Sequence, residues 1–135
     1  MTQPFLTHLA QELDGLKTAG LYKSERVITS MQSAEIKVAG MPMAAVVSPK
    51  GDELYVSTGR GNAIAVIDLS KNEEVARIPV GERVWGIALS PDGDRLYTAN
   101  GKSNDVSVID IRARKELRRI KVGDGPWGIA VAPKL

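Results

Sequence analysis

The chain has 135 residues, the length of one domain, and is large enough for a modest hydrophobic core. Its net charge of +2 is too small a bias to indicate nucleic-acid binding by itself. The absence of cysteine excludes disulfide bonds, thiolate metal sites and cysteine nucleophiles, and it leaves the redox compartment open.

The beginning of the chain does not have the composition of a signal peptide. Glu12, Asp14 and Lys17 stand where the apolar core of such a peptide would lie. The longest apolar window, Met41–Val47, is interrupted by Pro42 and is far too short to span a membrane. As written, the sequence therefore predicts a cytoplasmic protein with no membrane segment.

An amphipathic helix is predicted from Pro4 to Gly20. Its apolar residues recur every three or four positions and share one face: Phe5, Leu9, Leu13 and Leu16. Pro4 suits the first helical turn and Gly20 suits the C-terminal cap. Residues 1–34 are expected to form this helix and an extended arm, and the helix is expected to cap the exposed edge of the first sheet.

The remainder of the chain is an ungapped repeat. Val80–Lys121 aligns with Val38–Pro79 after a shift of 42 residues, and Trp85–Ala88 aligns with Trp127–Ala130 after a second shift of the same length. A repeat of this length indicates one supersecondary unit that has been copied.

Within one repeat, short apolar runs alternate with turn residues. The strands predicted in the second repeat are Trp85–Leu89, Arg95–Ala99, Val106–Ile109 and Leu117–Val122. The sequence Ser-Pro-Asp-Gly after the first of them is typical of a hairpin turn. The third strand of the first repeat, Ile64–Ile67, is apolar at consecutive positions, which predicts that both of its faces are covered. Gly86 and Ala88 are expected to let neighbouring sheets approach closely near a central axis.

Four strands in about 42 residues fit one blade of a β-propeller. The predicted fold class is all-β, a partial β-propeller of about two and a half four-stranded blades with an N-terminal amphipathic helix. Residues 35–135 carry it, with blades at 35–79 and 80–121 and the start of a third at 122–135. Single additional strands are expected at Glu35–Val38 and Trp127–Val131. Because a closed ring needs at least four blades, the chain is either a homo-oligomer that completes the propeller, or a fragment or engineered hybrid.

The repeat resembles a known family. The runs Pro-Trp-Gly-Ile-Ala, Ser-Pro-Asp-Gly-x-x-Leu-Tyr and Ser-Asn-Asp-Val-Ser-Val-Ile-Asp are similar to the YVTN-type β-propeller repeat, and the likeness covers residues 36–135. The family's own tetrapeptide is replaced by Tyr55-Val56-Ser57-Thr58 and Tyr97-Thr98-Ala99-Asn100. The resemblance implies a binding scaffold of extracytoplasmic or surface proteins, several of which accompany redox enzymes, with no catalytic group in the repeat itself.

The N-terminal segment resembles a different family. Phe5–Gly40, especially Gly20-Leu21-Tyr22-Lys23-Ser24-Glu25-Arg26-Val27-Ile28, is similar to the N-terminal arm of 2-amino-3-ketobutyrate CoA ligase, a PLP-dependent α-oxoamine synthase. After Gly40 there is no counterpart of that family's Schiff-base lysine, pyridine-facing aspartate or stacking histidine. The arm alone is therefore not expected to hold PLP, and the meeting of two signatures near Val38 suggests a fused or designed reading frame.

Most short motifs with a chemical interpretation are better explained as turns. Gly59–Ile64 begins like a dinucleotide-binding loop but is followed by a strand rather than a helix. Asp92-Gly93-Asp94 lacks the further oxygen ligands of a calcium loop. Asp68 and Asp110 end the third strand of each repeat, where an aspartate usually accepts backbone hydrogen bonds. His8 is the only histidine, and no nucleophile motif accompanies it.

Two sets of residues remain as candidate sites. Trp85 and Trp127 recur at the repeat spacing, which favours packing between blades. Were the propeller complete, they would lie near the axial end, where ligands often bind. The other set, here called the basic strip, is a possible phosphate contact: Arg112, Arg114, Lys115, Arg118, Arg119 and Lys121. A charge run that protects an edge strand would look the same, and no aromatic residues are interleaved for base stacking.

We therefore expect a non-enzymatic β-propeller module that binds a protein or a small ligand, without catalytic residues, metal or cofactor. One alternative is an inactive fragment or fusion carrying the arm of a PLP-dependent glycine C-acetyltransferase. Another is weak, salt-dependent nucleic-acid binding through the basic strip.

Overall fold

The computed structural model describes residues 3–18 and 36–133. Within these ranges it contains one helix and two four-stranded antiparallel sheets. The chain divides into two compact units, Met1–Ser33 and Ala34–Leu135, and the sheets belong to the second unit.

Helix α1 spans Gln3–Thr18 and confirms the helix that was expected between Pro4 and Gly20. The side chains of Phe5, Leu9 and Leu13 are exposed along it, and His8 also lies on its exposed surface. The extended arm that carries most of the ligase resemblance lies outside the described residues. The role of the helix as a cap stays a prediction.

Each repeat folds as a meander in which consecutive strands pair. The first sheet contains β1 (Ala44–Val47), β2 (Glu53–Ser57), β3 (Ala63–Asp68) and β4 (Glu73–Pro79). The second contains β5 (Val84–Leu89), β6 (Arg95–Asn100), β7 (Asp105–Asp110) and β8 (Lys115–Lys121). The strands of the second repeat thus fall where the apolar runs predict them, with end points that differ by one or two residues.

The hairpin turns form as their residues dictate. Ser90 donates its hydroxyl to Asp92 Oδ1 at 2.5 Å, and the same carboxylate accepts the Asp94 amide at 3.0 Å. The Ser90 hydroxyl is the main reason why the pKa of Asp92 lies below its ordinary value. Gly93 adopts φ = 75°, a left-handed conformation that glycine tolerates. This confirms the interpretation of Asp92-Gly93-Asp94 as a capped turn.

A single hydrophobic core fills the space between the two sheets. Its buried members from the first repeat are Tyr55, Ile64, Val66, Ile78 and Val80, and those from the second are Val84, Leu96 and Ile109. A smaller cluster of Val56, Ala65 and Ile67 covers the opposite face of the first sheet, with Ile36 and Val38 packed against it. β3 is therefore buried on both faces, as its continuous apolar run predicts.

The outer pieces of the predicted fold are less regular than expected. Residues 127–131 and 36–38 form no strand, and Glu35 lies outside the described residues. The Gly86 amide donates to the Trp127 carbonyl at 2.9 Å, so this segment follows β5 without forming a ladder with it. One hydrogen bond does not make a strand, because a ladder needs pairing along several residues. Self-association to complete a ring stays a prediction.

Candidate functional site

The two tryptophans meet at the start of β5. Their ring centroids are 4.4 Å apart and the ring planes are inclined by 39°. This tilted arrangement is one of those that aromatic pairs prefer. Their repeat spacing predicts that both residues lie near the axial end of a complete propeller, and the structure brings them into direct contact.

An irregularity in the strand register lies at Trp85. Val84 pairs with Asn100 but Ile87 pairs with Thr98, so Trp85 and Gly86 together oppose one residue of β6. Bulges of this kind redirect side chains and are frequent beside functional sites. In the first repeat, Pro42 and Met43, the equivalents of Val84 and Trp85, lie before β1, which begins at Ala44.

Two glycines provide room for the tryptophan pair. A Cβ atom on Gly86 would lie 2.8 Å from both the Trp127 carbonyl oxygen and the Gly128 Cα atom. A Cβ on Gly101 would lie 2.5 Å from the Trp85 ring. The expectation that Gly86 permits close approach is therefore confirmed, although its neighbour is the segment after β8 rather than a complete sheet.

An apolar cleft of about 210 Å³, here called the axial cleft, opens beside the pair. It is lined by Met43, Ala44, Trp85, Gly86 and Trp127. Met43, Trp85 and Trp127 occupy equivalent positions in three successive repeats. Trp127 is 69% exposed, so a large aromatic face is open to solvent there. Since β1 lies beside β5, the cleft is at the side of the sheets where a propeller has its axis.

Arg83 links the axial cleft to a second, charged depression. Its guanidinium carbon lies 5.8 Å from the centroid of the Trp85 ring, within range of a cation–π interaction. The charged depression, here called the basic cleft, has a volume of about 300 Å³ and is lined by Arg60, Asn62, Glu82, Arg83 and Lys102. Sequence reasoning did not single out this cluster.

A buried polar network lies in the second sheet, on the face that also carries Leu96 and Ile109. Asn100 Nδ2 donates to Asp105 Oδ1 at 2.7 Å and to Ser107 Oγ at 2.8 Å, and Asn100 Oδ1 accepts from Thr98 at 2.8 Å. Every buried side-chain polar atom among the described residues has a partner, so the network is satisfied. The first repeat has Val56, Thr58, Ala63 and Ala65 at these positions. That substitution of polar for apolar residues is the signal by which the network could have been found.

The basic strip is largely paired with carboxylates. Arg114 contacts Glu53 of the other sheet at 2.7 Å, Arg112 contacts Asp94 at 3.3 Å, and Arg119 contacts Glu116 at 2.8 Å. A hydrogen bond from Arg119 to Glu116 raises the pKa of the Arg119 guanidinium above its ordinary value. Arg118 and Lys115 are exposed on β8. The structure brings the basic strip together on β8 and the turn before it. The paired carboxylates neutralise much of its positive charge. Phosphate binding by the strip stays a prediction.

Glu53 also joins Tyr55 to this contact between sheets. The Tyr55 hydroxyl donates to Glu53 Oε2 at 2.7 Å, while Arg114 holds Oε1. Burial raises the pKa of the Tyr55 hydroxyl, and the hydrogen bond to the Glu53 carboxylate raises it further. The arrangement holds the phenol in its neutral form and fixes the two sheets against each other.

The aspartates that end the third strands serve their turns. Asp68 Oδ1 accepts the Ser70 amide at 2.8 Å, and Asp110 Oδ1 accepts the Ala113 amide at 2.9 Å. Hydrogen bonds from Ser70 lower the pKa of Asp68, and the Ala113 amide is the main cause that lowers the pKa of Asp110. Their interpretation as backbone acceptors is confirmed.

Within residues 3–18 and 36–133, no cluster of three or more metal-ligating side chains occurs. In the same ranges, no helix has both the length and the apolar character needed to cross a membrane.

Comparison with known proteins identifies the fold. No protein-family model matches the chain, and a search of curated proteins finds no match. Among solved structures, Kuenenia stuttgartiensis hydrazine synthase is similar over 76% of this chain and 29% of its own, with a TM-score of 0.64 and 30% sequence identity. Apo AztD from Citrobacter koseri matches over 74% of this chain and 29% of its own, with a TM-score of 0.60 and 20% identity.

A third structure names the architecture. The Cps50 (Swd1) β-propeller domain from Myceliophteria thermophila matches over 70% of this chain and 30% of its own, with a TM-score of 0.62 and 18% identity. The chain spans about three tenths of the length of these structures. Its two four-stranded sheets are thus blades, and the protein has a partial β-propeller fold with an N-terminal helix.

Proposed function

We propose that the chain is a non-enzymatic β-propeller binding module of the YVTN-repeat type, and that it takes its ligand on the tryptophan pair of the axial cleft. The observation that carries the proposal is the exposure of Trp127, which packs on Trp85 but leaves 69% of its surface open. Aromatic side chains with one open face are typical anchors for ligands and partners.

The equivalence of the cleft residues supports the same proposal. Met43, Trp85 and Trp127 are presented by three successive repeats at one end of the blades, so a ligand there is held by several repeats at once. Three aspartates with catalytic potential serve their turns instead. Asp68, Asp92 and Asp110 accept hydrogen bonds within their turns, which supports a binding role rather than a chemical one.

The proposal is tested with the tryptophans as their own reporters. They are the only two in the chain, so the two indole N–H signals in a proton–nitrogen NMR spectrum report on this cleft alone. Benzyl alcohol, an uncharged aromatic probe, is titrated into the protein. We expect both indole signals to shift, because the probe stacks on the open ring of Trp127.

Two variants show whether the cleft is responsible. Trp127→Ala removes the anchor and is expected to abolish the shift of the Trp85 signal, while Leu117→Ala removes a side chain that is 51% exposed on β8 and leaves the shift unchanged. Because both side chains are exposed, both variants should keep the melting temperature of the parent within a few degrees. Binding that survives Trp127→Ala, or no shift with any aromatic probe, would overturn the proposal.

A further inference from the structure

We infer that Arg83 makes the axial cleft selective for anions, so that its ligand carries a carboxylate or phosphate group attached to an aromatic or apolar ring. This inference rests on the proposed function, because it names the ligand class of the same cleft.

Arg83 has a backbone conformation that is unfavourable for a residue with a side chain. Its φ angle is 58°, in the left-handed region that favours glycine. The equivalent residue one repeat later is Gly125, with φ = 61°. The turn is built in the same way in both repeats: Asn62 Oδ1 accepts the Arg83 amide at 2.8 Å, and Asn104 Oδ1 accepts the Gly125 amide at 2.9 Å. A glycine at position 83 would therefore suffice to form this turn, and the arginine side chain is not needed for it.

An arginine kept at such a position points to a role for its side chain. Residues held in strained conformations are concentrated at binding and active sites. The guanidinium carbon lies 5.8 Å from the centroid of the Trp85 ring, and Trp85 lines the axial cleft. Among the described residues no acceptor bonds its N–H groups, which can therefore donate to a ligand. Gly125 has no side chain and no guanidinium group. The positive charge of this turn therefore lies only beside Trp85, not at the equivalent position before Trp127.

The charge around Arg83 is predominantly positive. In the basic cleft, Lys102 is paired with Glu82 at 2.8 Å. Among the described residues, neither Arg60 nor Arg83 forms a salt bridge with a carboxylate. Arg83 places one unpaired guanidinium beside Trp85, which lines the axial cleft, and Arg60 adds positive charge in the basic cleft. This combination suits a ligand that joins an anion to a ring. Arginine binds carboxylate and phosphate through paired hydrogen bonds, and the indole supports the ring.

Three probes with the same ring separate charge selectivity from aromatic binding: benzoate, benzyl alcohol and benzylamine. We expect benzoate to bind about tenfold more tightly than benzyl alcohol, as a charge-assisted hydrogen bond predicts, and benzylamine to bind more weakly than either. Raising the salt concentration should reduce the advantage of benzoate. Phenyl phosphate identifies the anion, because a site for phosphate binds it more tightly than benzoate and a site for carboxylate does not.

Arg83→Gly installs the residue of the next repeat and removes the charge without disturbing the turn. We expect the preference for benzoate over benzyl alcohol to fall to about one, benzyl alcohol to bind as before, and the melting temperature to stay the same or rise because backbone strain is relieved. Lys71→Gly, which removes an exposed cation from the turn after β3, outside both clefts and the basic strip, is the control and should leave the preference intact.

The inference is overturned if benzoate and benzylamine bind equally to the parent protein. It is also overturned if the preference for benzoate survives Arg83→Gly, or if that variant unfolds at a clearly lower temperature, since Arg83 would then be structural. These outcomes differ from failure of the proposed function, in which none of the three probes shifts the indole signals.

Discussion

The two blades share several apolar residues at equivalent positions, yet some of these residues differ greatly in burial. Ile78 and Val80 of the first blade are 1% and 6% exposed, whereas their equivalents Ile120 and Val122 of the second blade are 41% and 42% exposed. The first pair lies under the second blade, and the second pair is not covered in this way. Burial in a propeller is therefore a property of the junction between blades, and one blade cannot complete its own core.

The blades also differ in how their interiors are filled. Where the first blade uses apolar residues such as Val56 and Ala65, the second uses a closed hydrogen-bonded network around Asn100. Both solutions occupy equivalent positions in the repeat, and the network leaves no buried side-chain polar atom unpaired among the described residues. The backbone repeat thus tolerates a change of interior chemistry, provided that every buried polar group finds a partner.

The largest expected effect breaks the core between the blades. Ile78→Ala should lower the free energy of unfolding by about 2–5 kcal/mol, the range for truncating a buried isoleucine. Ile120→Ala should cost less than about 1 kcal/mol, because much of its surface is already in water. Urea unfolding of both variants measures the difference. Equal losses would mean that Ile120 is also covered in solution.

The next effect tests whether the polar network acts as a unit. Asn100→Ala removes the buried donor to Asp105 and Ser107 and the acceptor of the Thr98 hydroxyl, and it should cost about 1–3 kcal/mol. When it is combined with Asp105→Ala, the total should be smaller than the sum of the single variants by at least about 0.5 kcal/mol.

The exposed pair of Asn104 and Asp124, whose side chains are 3.3 Å apart, provides the control for this cycle. Its double-mutant cycle should give a coupling energy near zero, because water replaces the lost contact. Additive losses at Asn100 and Asp105 would show that the network has no collective contribution to stability.

The smallest effect concerns the contact between blades at Tyr55. Tyr55→Phe removes the hydrogen bond to Glu53 and should cost about 1 kcal/mol. Because the folded state raises the pKa of Tyr55, its contribution is fully present below the unfolded value of about 10 and is lost as the pH rises above it. Alkaline unfolding should therefore be less steep in Tyr55→Phe than in Tyr97→Phe, the equivalent change in the second blade. Identical pH profiles for the two variants would contradict this account.

The sequence predicts most of the fold because the information is local and repeated. Turn residues such as Ser90 and Gly93 mark the hairpins, and the continuous apolar run of β3 indicates a strand covered on both faces. The sequence does not predict the features that depend on how distant segments of the chain approach each other. The bulge at Trp85, the contact of Arg114 with Glu53 and the network around Asn100 require the register of several strands or the spacing of two blades. The left-handed conformation of Arg83 could not be predicted, because such a conformation is expected at a glycine. Only the equivalent residue of the next repeat, Gly125, is a glycine.

The most direct test of the account is whether Trp127 packs on Trp85 in solution, since the start of the third repeat and the proposed site both depend on that contact. Two indole rings with centroids 4.4 Å apart should produce a coupled pair of circular dichroism bands of opposite sign. We expect this couplet in the parent protein, its loss in both Trp85→Phe and Trp127→Phe, and its disappearance together with the β-sheet signal on heating. A parent spectrum equal to the sum of the two single-tryptophan spectra would contradict the account.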